Sequence, residues 1–189
     1  MVEQQSIDVA LIARNSYDAL YATAEKPLEF SPLWFEPVFL AVGAASSLAE
    51  IPHIWAHEVP VDRLIRFNIS FGYDLEKDLP SPSQEMMERM GIDVKTSRFE
   101  TICRYVAQTS ACTLVNAIAA EQFRRDDFGL KFVPFADEGN VRELGALTLP
   151  DCSHCSIVAK LCDRIRQSRP SGTLSSTTSI MTDAVSTVV

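Results

Sequence analysis

Long apolar runs are missing from this 189-residue chain: the longest, residues 37–45, falls far short of the ~18 residues that a bilayer-spanning helix requires. Residues 1–10 carry no basic stretch followed by an apolar one, so no secretory leader is expected and the chain reads as intracellular. Positive charge is scarce as well. Seventeen Lys and Arg stand against 25 Asp and Glu, a net charge of −8. A surface that grips nucleic acid all over is thereby excluded, because phosphate neutralisation needs clustered cations; only a narrow basic groove on an acidic body remains open. The five cysteines, Cys103, Cys112, Cys152, Cys155 and Cys162, are odd in number and follow no framework spacing, so they read as reduced thiols. There is no GxSxG, no P-loop, no GxGxxG and no internal repeat. No enzyme class and no cofactor is expected.

What is present suits a globular core: 47% hydrophobic and 22% charged residues. Ile7, Leu11, Ile12, Leu20 and Tyr21 suggest an amphipathic helix over residues 7–22. The prolines of Lys26-Pro27-Leu28-Glu29-Phe30-Ser31-Pro32 then favour an extended connector. Helix starts follow at the capping-box pattern Ser47-Leu-Ala-Glu50, at Pro60 before Val61, Leu64 and Ile65, at Ser81-Pro82-Ser83-Gln84 with Gly91 as its stop, and at Ser97-Arg98-Phe99-Glu100. The last of these opens the clearest helix, with Phe99, Ile102, Cys103, Val106, Leu114, Ala117 and Ile118 at helical spacing. Phe128 to Phe135 is aromatic and β-prone, a turn and a short extended segment. A final helix is expected from about Cys155 to Gln167, before a Ser/Thr-rich tail with little to bury. The pattern predicts a mainly α fold: a helical-bundle core with a short extended or β-hairpin segment.

Several clusters invite chemistry. His53 and His57, four apart, suit a metal site on a helix, but Pro52 and Pro60 crowd them and no third ligand is placed by sequence. Cys152-Ser-His154-Cys155 with Cys162 offers one CxxC pair, where strong zinc motifs offer two, so buried thiols are the default. Cys103 or Cys112 paired with a histidine would resemble a nucleophilic dyad, yet both share an apolar helix face. Asp126-Asp127 beside Arg124 and Arg125 reads as a solvated charge cluster. Among the cations, Arg63 and Arg66 share a helix face, and Lys160, Arg164, Arg166 and Arg169 form a stretch that suits a solvated face or a groove. Arg98, Arg124 and Arg125 are phosphate candidates around the central helix.

Three blocks in residues 51–150 resemble the coat proteins of flexible filamentous plant viruses, of the potexvirus (alphaflexivirus) kind. They are Ile51-Pro-His-Ile-Trp55-Ala-His-Glu-Val59-Pro60 with Phe71-Gly72-Tyr73-Asp74 after it, Phe99-Glu-Thr-Ile-Cys103-Arg104-Tyr105-Val-Ala107, and Phe128-Gly129…Lys131-Phe132-Val-Pro-Phe135-Ala-Asp137. The resemblance implies an N-terminal arm (1–33) that docks on a neighbouring subunit, a helical core with an RNA groove (34–150), and a C-terminal extension (151–189). It implies a buried pair of Arg104 with Asp137, one place from the family's aspartate, and Lys131 near the RNA. The function that follows is a subunit that polymerises into a helical filament, with copies of itself and single-stranded RNA as partners, in the virion and the host cytoplasm. Packaging of this kind is blind to sequence, made of phosphate contacts multiplied along an open head-to-tail polymer. The alternatives are a small helical interaction or scaffold protein without nucleic acid, and a zinc-dependent enzyme using Cys152 and Cys155.

Overall fold

The run Val38-Phe39-Leu40-Ala41-Val42 is too continuously apolar for an amphipathic helix, and its place is in a strand buried on both faces. In the computed structural model, which describes residues 7–65, 99–136, 140–150 and 154–175, it forms the second half of β2 (Glu29–Gly43). The remaining elements are β1 (Ala10–Ala13), α1 (Arg14–Tyr21), short 3-10 turns at Ser47–Glu50 and Ala56–Glu58, β3 (Leu64–Ile65), α2 (Phe99–Gln108), β4 (Cys112–Asn116), α3 (Ala117–Arg125), β5 (Leu130–Pro134), β6 (Val141–Thr148), α4 (Cys155–Gln167) and β7 (Leu174–Ser175). The expected mainly α helical bundle is therefore not the fold. The chain is mixed α/β, with seven strands among the described residues.

It divides into two compact units, residues 1–37 with 141–189 and residues 38–140. In the first, β6 pairs antiparallel with β1 on one side and with residues 29–37 of β2 on the other, and β7 pairs with β2 at Trp34 and Phe35. The two-residue period of β6 sends Leu144 and Ala146 to one face, where they pack with Trp34, Leu33, and Val158 and Cys162 of α4. Leu147 goes to the opposite face, against Leu28 and Tyr17 of α1. Both prolines of β2 stand where the ladder changes: Pro32 at the register shift before Trp34, Pro37 at the last position paired with β6. A residue without an N–H is tolerated at such a break.

In the second unit the strand order is β3-β4-β2-β5, with β3 parallel to β4. Val38, Leu40 and Val42 face a cluster with Ile54, Val59, Leu64, Leu114 and Val133 under the 47–61 segment. Phe39 and Ala41 face the other way, against Cys103 of α2 and Ala117, Ala120 and Phe123 of α3. Leu40 is fully buried, and burial of such a side chain contributes about 1.5–3 kcal/mol.

Local readings fare unevenly. The predicted helix over 7–22 is β1 followed by α1, and the one after Pro60 is a turn into β3. The helix begun at Phe99 stops at Gln108, after which Cys112–Asn116 is a strand and a new helix starts, capped by the Asn116 side chain accepting from Ala119 N at 2.9 Å. The extended segment near Phe132 and the helix from Cys155 are found where they were expected. The helix expected at 81–91 and the cap at Ser97 lie outside the described residues.

Candidate functional site

The cations singled out by sequence gather in part. Arg124 and Arg125, at the C-terminal turn of α3, both reach Glu121, at 3.7 and 3.2 Å, and suit the negative end of the helix. The Arg124 guanidinium also lies 5.1 Å from the Phe132 ring centre and 5.6 Å from that of Phe39. Arg104 stacks over Phe128 at 4.4 Å. These two arginines thus lie over an aromatic cluster within cation–π range. Lys131 is exposed on β5, opposite Val42. Arg98 and Asp137 lie outside the described residues, so the expected pair of Arg104 with Asp137 falls there too.

Three of the thiols, Cys103, Cys112 and Cys162, are packing groups. Burial pushes Cys103 from its ordinary 9.0 up to about 12, with Glu100 adding to the effect. Cys112 is likewise pushed to about 12 by burial and by Asp62, against the opposing pull of Arg63. Cys162 sits in the core beside Val158, and burial raises its thiol as well. Cys155 is exposed with Sγ 3.8 Å from the Pro150 carbonyl oxygen, while His154 Nδ1 lies 3.2 Å from Asp8. Cys152 lies outside the described residues. Among those described, no three His, Cys, Asp or Glu converge on a metal position.

What sequence reasoning passed over is a cavity in the segment that carries His53 and His57. Residues 48–58 line a cavity of about 400 Å³, formed by Leu48, Ile51, Pro52, His53, Ile54, Trp55 and Glu58. Its floor is anchored to β5: Ile54 N donates to the Pro134 carbonyl at 3.0 Å, and Ala136 N donates to the Ile54 carbonyl at 2.9 Å. Its rim is a reciprocal turn, in which Trp55 N donates to Glu58 Oε2 at 3.0 Å and Glu58 N donates to the Trp55 carbonyl at 3.0 Å. The Trp55 and His57 rings stack at 6.3 Å. The sequence signal is Trp55, His57 and Glu58, wedged between Pro52 and Pro60, in a stretch read above as a metal pair and as a block of the coat resemblance.

In the first unit, Arg14 Nε and Nη2 donate to the two oxygens of Glu143 at 2.8 and 3.3 Å, and the guanidinium lies 3.8 Å over the Phe30 ring. Arg166 ties α4 to β2 through Ser31 Oγ (2.6 Å) and the Pro32 carbonyl (3.0 Å). The basic stretch on α4 is therefore partly structural.

No family model and no curated protein matches the chain. Solved structures do. The reduced form of the OxyR regulatory domain from Pseudomonas aeruginosa superposes with a TM-score of 0.68 and 17% identity, over 88% of this chain and 75% of that one. A reduced form of OxyR from N. meningitidis gives 0.66 and 16%, over 91% and 76%. The regulatory domain of MetR, a LysR family regulator from N. meningitidis, gives 0.64 and 15%, over 92% and 78%. At these identities the likeness is one of fold. It overturns the resemblance to filamentous coat proteins, and with it the filament, the single-stranded RNA partner, the virion location and the helical-scaffold alternative. The RNA role given to Lys131, Arg124, Arg125 and Arg98 loses the reading that supported it.

Proposed function

We propose that this chain acts as a regulatory domain of the LysR kind: a module that binds a small molecule without transforming it and passes its occupancy to an attached DNA-binding part. The observation that carries this reading is the fold match, which covers about nine-tenths of the chain in structures titled as regulatory domains. Two features agree with it. The chain is built as two compact units through which the single strand β2 runs, and the cavity over residues 48–58 falls within the ~300–1,000 Å³ range of small-molecule sites.

The test is a fusion of the whole chain to a helix-turn-helix module of known operator, challenged with a metabolite panel in a reporter assay, alongside thermal melting of the chain itself. A true effector at a hundred times its Kd stabilises by about 2.7 kcal/mol, which for a domain of this size raises Tm by roughly 5–10 °C. It should also change the reporter signal and be recovered chemically unchanged. A panel that moves neither Tm nor reporter, or a ligand that is consumed, would reject the reading.

A further inference from the structure

The cavity over residues 48–58 has a definite chemical character. Leu48, Ile51, Pro52 and Ile54 supply apolar walls, Trp55 an indole, His53 an imidazole, and Glu58 a carboxylate. Among the described residues neither Lys nor Arg lines it, and the sequence holds none between Lys26 and Arg63. None of the ion pairs among the described residues engages Glu58, whose carboxylate accepts from the Trp55 backbone N–H. Anions are disfavoured by this lining. A metal ion needs more donors than the Glu58 carboxylate and the His53 imidazole, and apolar walls do not replace its water shell. Trp55 is 44% exposed, although a Trp normally yields most of its surface to a core. An indole and a carboxylate lining one cavity, with no Lys or Arg lining it among the described residues, are the pairing that takes an organic cation: the ring quadrupole and the carboxylate attract the charge, and the walls take the carbon skeleton.

We propose that this cavity is a binding site for a small alkylammonium ion, with Trp55 and Glu58 as its cation-recognising residues. The site is pre-formed, since Ile54 is locked into the β5 edge and the Trp55–Glu58 turn closes on itself, so little ordering accompanies binding. The proposal stands apart from the regulatory reading. Ammonium binding without any reporter response would sink that reading and leave this one intact.

The probe is choline, compared with its neutral tert-butyl isostere, titrated into the full chain and followed by amide NMR shifts and tryptophan fluorescence. Trp34 is buried, so the fluorescence change should come from Trp55. Choline should move signals of residues 48–58, and the isostere should bind about tenfold more weakly. Glu58→Gln keeps an acceptor for the Trp55 N–H and removes only the charge. It should weaken choline by about tenfold while the remaining spectrum stays native, and Trp55→Leu should do the same. Three results would each overturn the proposal: no choline binding, equal binding of choline and isostere, or undiminished affinity in Glu58→Gln.

Discussion

Gly145→Ala should cost about 2–4 kcal/mol of stability, the upper range for overpacking in a filled core. A Cβ on Gly145 would lie 2.6 and 2.7 Å from Cε1 and Cε2 of Phe30 and meet Cζ as well. The ring has nowhere easy to go. It is covered by the Arg14 guanidinium, which Glu143 holds in place, and it packs at 5.3 Å against Tyr17, whose hydroxyl donates to the Leu28 carbonyl. An aromatic laid across a cross-strand glycine is a known way to fill the gap such a residue leaves in a sheet. Denaturant unfolding of Gly145→Ala and of Gly145→Ala with Phe30→Leu measures the effect. The double variant should be less than additive, because removing the ring removes the clash. A single-variant cost below about 0.5 kcal/mol would show that the ring is free to move.

Raising the pH should destabilise the fold from about pH 9 upward, through Cys103 and Cys112. Both thiols sit near 9.0 when solvated and near 12 when folded. A folded pKa above the unfolded one stabilises fully below the unfolded value and is lost as pH rises toward the folded value. Each thiol therefore withdraws about 1.4 kcal/mol per pH unit between 9 and 12, or together about 3 kcal/mol by pH 10 and about 5 by pH 11. The measurement is thus a comparison of unfolding at pH 8 and pH 10 for the parent and for a Cys103→Ala, Cys112→Ala variant. The variant should lose about 3 kcal/mol less over that interval; equal losses would place the titrating groups elsewhere.

The features legible in the sequence are those set by nearby residues. α4 was bounded well because Val158, Cys162 and Ile165 recur at helical spacing over 13 residues. β5 was visible in its aromatics and proline. What misled was any element whose identity depends on a distant partner. Ile12 and Ala13 fit an amphipathic helix as well as a strand, and the choice is made by Gly145 and Leu144, more than a hundred residues away. Leu114, Ala117 and Ile118 continue the α2 period by coincidence, across a turn into β4 whose partner is Val38–Val42. The coat resemblance failed for a related reason. Its blocks centre on residues such as Ile54, Cys103 and Val133, all at or below 2% exposure, and alternating core residues recur in many folds. The cavity lining was half legible: the histidines marked the right segment, but the carboxylate that faces Trp55 depends on the turn geometry.

The discontinuity of the first unit sets a schedule for the chain as it is made. Residues 29–37 leave the ribosome before β6, their ladder partner, with the whole of residues 38–140 in between. At ~5–20 residues per second that gap lasts roughly 5–20 s. The second unit can complete its sheet in that time, while the nascent first half of β2 waits with both edges unsatisfied, a template for stray strand pairing. Glu29, Pro32, Glu36 and Pro37 lie on that waiting segment, and charge and proline are the residue types that deter such pairing. Ribosome-stalled chains that have emerged as far as residue 140 should be protease-resistant over the second unit and cleavable around 29–37; resistance there would mean that β2 finds shelter before β6 exists.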